Sequence, residues 1–426
     1  MASGRPPERA ILAGVEIKSP PARSSAAGGH AFTSEESMEE LAVLTASAGA
    51  RVEEKILQAR PAPDAATLIG SGKLEELRGF VRLHDADLVV FDSELTPTQL
   101  RNLERALDCR VVDRTQLILD IFARRARTRE GQLQVELAQL NYLLPRLTGR
   151  GVEMSRLGGG IGTRGPGETQ LETDRRRIFR RLKKLEEGLE AVRSGRSTQR
   201  RQRQAVPLET VALAGYTNAG KSTLFNRLTG ADVAADARMF ATLDPTVRHL
   251  VLPSRRKALL SDTVGFIRNL PTTLVKAFRA TLEEVVEASL ILHVVDASSA
   301  VAAPNIAHVE KVLAEIGAGE KPTLLVWNKV DMAGAPDTTP EAAGAVRVSA
   351  RTGQGIDTLL AEIDKRLSLD PTSRRTFRIP AGEGGALHLL HERARVLNIR
   401  YLEDVCEVEA ETPASLLRQL ETFLVP

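Results

Sequence analysis

The chain has 426 residues, 42% hydrophobic and 27% charged, with a formal net charge of +3, which is too small to indicate a partner by itself. That length suits roughly two to four domains, each long enough to bury a core. Cys109 and Cys406 are the only cysteines, which excludes a disulfide framework and a thiolate metal site, and no run reaches the roughly 18 apolar residues of a membrane span. The first residues, MASGRPPERA, lack an apolar signal core, so a cytoplasmic protein in a reducing compartment is expected.

In chain order, Ala10-Ile11-Leu12-Ala13-Gly14-Val15 is an apolar piece followed by Pro20-Pro21 and a Ser/Ala/Gly-rich run that reads as a loop. Thr33 and Glu36 have capping-box spacing before a helix carrying Met38, Leu41 and Leu44. Asp87 to Phe91 reads as a strand, Thr96-Pro97 as an N-cap and first helical residue, and Val111-Val112 as a strand before a helix from Asp113. This alternation predicts a small α/β domain over residues 1–126. Within it, Gly70-Ser71-Gly72-Lys73 is rejected as a phosphate loop, because Thr67 stands where the first glycine is required and Leu74 follows the lysine. A glycine turn opening a helix with Leu74, Leu77 and Val81 accounts for it.

From Leu133 the apolar positions fall at Leu133, Leu137, Leu140, Leu144 and Leu147, and the same spacing returns at Ile178, Leu182, Leu185, Leu189 and Val192. Two such seams separated by a polar, glycine-rich loop predict an antiparallel helical hairpin. A second helix from Leu171 to Val192 would be roughly 30 Å long, so residues 127–204 read as an arm with a basic linker. The loop carries Gly158, Gly159, Gly160, Arg164, Gly165 and Gly167, with Arg175 and Arg176 just beyond it. Between Arg175 and Arg203 there are twelve basic and three acidic residues. Flexible backbone with clustered guanidinium groups suits an irregular, phosphate-rich RNA surface, which we weigh above a floppy loop or a solvated helix face.

The chemistry lies in residues 205–370. An apolar run, Val211 to Ala214, ends in Gly215-Tyr216-Thr217-Asn218-Ala219-Gly220-Lys221-Ser222 and then Thr223, in a stretch that favours a helix. Here backbone N–H groups can cradle phosphates, Lys221 can reach the terminal ones, and the Ser222 hydroxyl can ligate Mg²⁺. Downstream, Thr242 is assigned the task of completing the Mg²⁺ shell when a γ-phosphate is present, with Thr246 as fallback. A strand then ends in Asp262-Thr263-Val264-Gly265. Asp262 can hold the metal through a water and the Gly265 N–H can meet the γ-phosphate, so that loss of this group would release both segments. Leu324 to Trp327 leads to Asn328-Lys329-Val330-Asp331, whose final carboxylate can accept from guanine N1–H and the exocyclic amine, a donor pair adenine lacks. Ser349-Ala350 ends a last strand and can present a backbone N–H to guanine O6. Phe266, directly after D-x-x-G, can neither donate nor accept a hydrogen bond to orient an attacking water, so slow turnover by the chain alone is expected, with stimulation by a partner.

These motifs resemble the Ras-like, translation-factor-related GTPases. The sequences LGGGIGTRGPGETQLE from Leu157, GYTNAGKS from Gly215, FATLDPT from Phe240 and DTVGF from Asp262 are more closely similar to the HflX family of ribosome-associated GTPases. The resemblance implies a mixed, mainly parallel six-stranded sheet with GTP or GDP at the carboxyl ends of the strands. It also implies binding to the large ribosomal subunit, the glycine-rich tip reaching towards the peptidyl transferase region, and separation of stalled or idle ribosomes into subunits. Asn218 resembles an asparagine that in some relatives helps bind a monovalent cation such as K⁺, with a loop-stabilising role as the alternative.

Residues 371–426 read as a small C-terminal α/β domain without identifiable chemistry: a strand near Phe377 to Ile379, a helix from Leu387 to Val396, an alternating stretch through Val405 and Val408, and a terminal helix after Thr412-Pro413. The fold class expected is thus a multidomain α/β protein: N-terminal α/β domain, helical arm, Ras-like P-loop GTPase domain and C-terminal domain, as a monomer. The competing functional reading is a GTP-gated adaptor whose basic arm binds a protein or an anionic surface without RNA.

Overall fold

A computed structural model describes residues 6–18, 33–147, 175–192, 209–231, 239–240, 242, 245–268, 279–332, 344–367, 372–380, 382–402, 405–413, 416–417 and 420–425. The chain divides into two compact units, Met1–Arg200 with Asp236–Asp244 and Phe266–Thr281, and Arg201–Ala235 with Pro245–Gly265 and Leu282–Pro426.

In the first unit, strands β1 (Arg9–Ile17), β2 (Arg51–Arg60), β3 (Leu88–Phe91) and β4 (Arg110–Asp113) form a parallel sheet in the order β2-β1-β3-β4. All four residues of β3 are buried, as expected of an inner parallel strand covered on both faces. The connecting helices are α1 (Ser34–Ser47), α2 (Ser71–Leu83), α3 (Pro97–Leu107) and α4 (Arg114–Arg125). Reciprocal capping boxes start two of them, Thr33 with Glu36 on α1 and Thr96 with Gln99 on α3, where Pro97 takes the first helical position. Gly70 is only the N-cap of α2, and Lys73 is tied to Glu76 at 2.9 Å, which leaves no phosphate loop there.

Helix α5 (Arg129–Leu147) runs antiparallel to α6 (175–192): Glu136 pairs with Arg181 at 2.6 Å, while three residues earlier on α5 Leu133 lies beneath Gly188. The α6 seam is buried at Leu182, Leu185 and Leu189. On α5 the seam leucines from Leu133 to Leu144 are only half-buried, and the buried hydrophobic positions are Val135, Ala138 and Tyr142. At about 100° per residue those three lie on the face opposite the leucines. Helix α5 therefore buries two faces, one against α6 and the other in a unit where it also packs beside α4.

The second unit is built on a six-stranded sheet of order β10-β9-β8-β5-β7-β6. Its strands are β5 (Thr210–Gly215), β6 (Thr246–Val251), β7 (Lys257–Asp262), β8 (Leu290–Asp296), β9 (Thr323–Asn328) and β10 (Val346–Arg347). Only the edge strand β6 is antiparallel to its neighbour. Val211, Leu213, Leu260, Leu292 and Val326 bring the sheet's apolar residues into one core with Leu224 and Phe225 of α7 (Lys221–Thr229) and with Leu359 and Ile363 of α10 (Ile356–Arg366). The remaining helices are α8 (Arg279–Glu287) and α9 (Ala302–Glu315).

Residues 372–413 add a three-stranded antiparallel sheet of order β11-β13-β12, from β11 (Thr372–Pro380), β12 (Arg395–Tyr401) and β13 (Val405–Pro413), packed with α11 (Gly384–Arg393). Helix α11 stops at Arg393, not at Val396 as expected, because Arg395 to Tyr401 pairs antiparallel with β13 and forms a strand of its own. At the chain end, Glu421–Phe423 form one 3₁₀ turn. Among the described residues no helix is long and apolar enough to cross a membrane.

Candidate active site

Four segments meet at the carboxyl ends of parallel strands: the loop after β5, the end of β7, the end of β9 and the turn after β10. This is where doubly wound sheets place their ligands. Strand β5, an inner strand buried over Val211 to Gly215, ends at the carboxyl side of the sheet, where the chain curls through Asn218, in the left-handed region at φ 61°, into the N-terminus of α7. Gly220, at φ 89°, lies so close to the base-side loop that a side chain there would meet Asn328 Nδ2 at 2.3 Å. Gly265 approaches from the other side: a Cβ on it would meet Lys221 Nζ at 2.9 Å and the Thr217 Cα at 3.0 Å. The two glycines let D-x-x-G and N-K-x-D close on a single loop.

Lys221 is buried and donates to the carbonyls of Gly215 at 3.0 Å and Tyr216 at 2.8 Å. Burial pushes its pKa down to about 8, opposed by the charge of Asp262. Asp262 is fully buried, and its Oδ2 accepts from Ser222 Oγ at 2.8 Å. The buried Thr217 hydroxyl has no hydrogen-bond partner among the described residues, and Thr263 Oγ1 donates to Leu213 O at 2.6 Å. An orphaned hydroxyl, a buried ammonium and a helix N-terminus around one glycine cradle fit an oxygen-rich anion. Ser222 Oγ and Asp262 Oδ2 are the oxygen donors a hard cation such as Mg²⁺ takes.

The base side is cross-braced. Asn328 Nδ2 donates to Ala219 O at 2.9 Å, while its Oδ1 accepts from the Ala350 N–H at 3.0 Å. Asp331 accepts from Ser349 Oγ at 2.6 Å, and this bond above all lowers the carboxyl pKa. Lys329 pairs with Asp296 at 2.7 Å, which fixes the loop to the end of β8. A carboxylate held ionised in one orientation, beside a turn rich in backbone donors, is arranged to take a flat base with adjacent N–H groups.

Of the other residues expected here, Tyr216 meets His308 of α9 edge-on, 6.1 Å between ring centroids, and Thr223 is exposed on α7. Thr242 is buried and grouped with the first unit, in a segment where the Met239 N–H donates to Ser47 Oγ and Phe240 packs edge-on against Phe122 at 4.5 Å. Phe266, also buried, goes with that unit too. Arg175 and Arg176 are exposed at the start of α6. Gly158, Gly159, Gly160, Arg164, Gly165 and Gly167 lie outside the described residues. The motifs did not reveal Asp296, Arg227 or the buried His293 of β8, whose pKa burial and then the Lys221 charge lower to about 4. Asp296 alone carried a signal, as the polar residue ending an apolar strand.

Three family models cover most of the chain: "GTP-binding GTPase N-terminal" matches residues 35–123, "GTP-binding GTPase Middle Region" 125–203 and "50S ribosome-binding GTPase" 210–329. A protein named GTPase HflX from Caldanaerobacter subterraneus subsp. tengcongensis is 47% identical over 99% of this chain and 95% of its own length. The chain belongs to the HflX family of GTPases. GTPase HflX of Escherichia coli K12 is 48% identical over 83% of this chain and 84% of its own length. Among solved structures, a GTP-binding protein from Sulfolobus solfataricus in complex with GDP is 24% identical, covering 84% of this chain and 98% of that one, at a TM-score of 0.45.

Proposed function

We propose that this HflX-family chain is a GTP-hydrolysing switch that binds the large ribosomal subunit and its rRNA and promotes dissociation or rescue of stalled or idle ribosomes. The observation that carries the nucleotide half is the brace from Asp331 through Ser349 and from Asn328 to Ala219, which ties a base reader to a phosphate cradle. Support for the ribosomal half comes from the family model over residues 210–329 and from the basic hairpin of α5 and α6.

In this reading Lys221 leaves the Gly215 and Tyr216 carbonyls for the terminal phosphates of GTP, and the N–H groups from Tyr216 to Thr223 take the remaining phosphate oxygens. Ser222 and Asp262 would hold Mg²⁺, joined by Thr242 when a γ-phosphate is present; the ion supplies charge neutralisation on the phosphate oxygens. The Gly265 N–H senses the γ-phosphate, so Gly265 and Thr242 are released with it. Asn328, Lys329, Asp331, Ser349 and Ala350 select guanine. Asn218 is a candidate ligand for K⁺ beside the phosphates, which faster hydrolysis in potassium than in sodium buffer would support. Gly158, Gly159, Gly160, Arg164, Gly165 and Gly167, with Arg175 and Arg176, contact the subunit.

Phe266 can neither donate nor accept a hydrogen bond, so the chain alone does not orient the attacking water through this position. Hydrolysis should be slow for the purified protein and accelerate on the order of ten-fold or more with ribosomal particles. Fast turnover that ribosomes leave unchanged would refute the partner-dependent part of the proposal.

A further inference from the structure

The turn after β10 is closed by its own bonds: the Ser349 N–H donates to Gln354 O at 2.9 Å, the Gly353 N–H to Ser349 O at 2.8 Å and the Thr352 N–H to Ser349 Oγ at 3.0 Å. Its outer carbonyls are gripped from elsewhere. Arg227, on the last turn of α7, donates through Nε to Ala350 O at 3.0 Å and through Nη2 to Arg351 O. The planar guanidinium presents its donors in a fixed fork, so two consecutive carbonyls bound to it leave the turn little freedom to rock. In a trans peptide the C=O and N–H point in opposite directions. Drawing Ala350 O towards α7 therefore points the Arg351 N–H in the opposite direction, away from α7. The Ala350 N–H is already committed to Asn328 Oδ1 at 3.0 Å.

We propose that Arg227 is a specificity-positioning residue: by clamping the Ala350 and Arg351 carbonyls to the helix that opens at the phosphate loop, it aims the turn's backbone N–H at guanine O6. The inference rests on reading this turn and Asp331 as the guanine site. It divides the labour by atom, with the exocyclic amine read by Asp331 and O6 by the turn that Arg227 holds. Arg227 touches no nucleotide and performs no chemistry.

The test is nucleotide binding to the full chain, followed through Trp327, the single tryptophan, which immediately precedes Asn328. GDP, IDP, which lacks the exocyclic amine, and 6-thio-GDP, which replaces O6 by a poor acceptor, are compared across wild type, Arg227→Met, Arg227→Lys and Asp331→Asn. Arg227→Met should weaken GDP about three- to ten-fold, hardly affect 6-thio-GDP and so shrink that pair's ratio, leaving the GDP to IDP ratio unchanged. Arg227→Lys, with one compact donor group, should fall between. Asp331→Asn should do the reverse, collapsing the GDP to IDP ratio. Equal weakening of all three nucleotides by Arg227→Met would mean a merely structural residue and overturns the proposal, as does no effect. Equal binding of all three by the wild type would instead overturn the reading of the guanine site on which it rests.

Discussion

In the proposed reading base selection turns on Asp331, whose carboxyl pKa is lowered above all by the bond from Ser349 that orients it, leaving an acceptor for two adjacent N–H groups. Replacing it by Asn exchanges an acceptor for a donor. Asp331→Asn should lose about 100-fold or more in GDP affinity and gain affinity for XDP, whose C2 carbonyl accepts where guanine donates; unchanged GDP binding would contradict this. His293 gives a separate, pH-dependent expectation. Its folded pKa, about 4, lies below the ordinary value of 6.5, so the unfolded chain binds the extra proton between those limits. Stability should therefore fall as pH drops through that window, by up to about 1.4 kcal/mol per pH unit from this group. Denaturant unfolding at pH 7 and pH 5 should show a smaller drop for His293→Gln than for wild type, and an equal drop would contradict the assignment. Glycines, Lys221 and N-K-x-D were legible in the sequence because their chemistry requires those residue types at those spacings. Arg227 was not, since it binds main-chain carbonyls, which any residue provides, in a turn over a hundred residues away.

At the scale of elements, period and cap chemistry located the capped helices α1 and α3, strand β5 and the two arm helices. The same reasoning found the leucine seam of α5 that meets α6 but missed the helix's second, more buried face, because periodicity marks one apolar stripe and the Val135, Ala138 and Tyr142 face mixes small, β-branched and aromatic residues. It merged the start of β12 into the preceding helix because Arg395 to Tyr401 shows no turn signal before it. On α6, Leu185 is 1% exposed. Leu185→Ala should cost about 2 to 5 kcal/mol and lower the melting temperature, while GDP affinity followed at Trp327 stays at the wild-type value. A change in GDP affinity would mean that the α6 packing bears on the nucleotide site.

Across the whole molecule, the chain does not sort into units by sequence order. Residues 236–244 and 266–281 lie within the stretch that reads as the GTPase domain, yet they cluster with the first unit, where Phe240 meets Phe122 and Arg268 approaches Glu40 at 3.9 Å. Sequence motifs mark what a segment does to a nucleotide and carry no record of which core it packs against. Arg175 and Arg176 of the arm belong to the first unit as well. Replacing Arg175 and Arg176 with Gln should weaken binding to ribosomal subunits and lower the dependence of that binding on salt concentration, as expected when phosphate contacts are removed; an unchanged salt dependence would place those arginines outside the interface. The central claim, a nucleotide-gated ribosome binder, is tested most directly by sedimenting the full chain with isolated large subunits in a non-hydrolysable GTP analogue and in GDP. The chain should pellet with the subunits in the analogue and largely stay in the supernatant with GDP, whereas failure to co-sediment in either state would contradict the claim and favour an adaptor that uses its basic arm elsewhere.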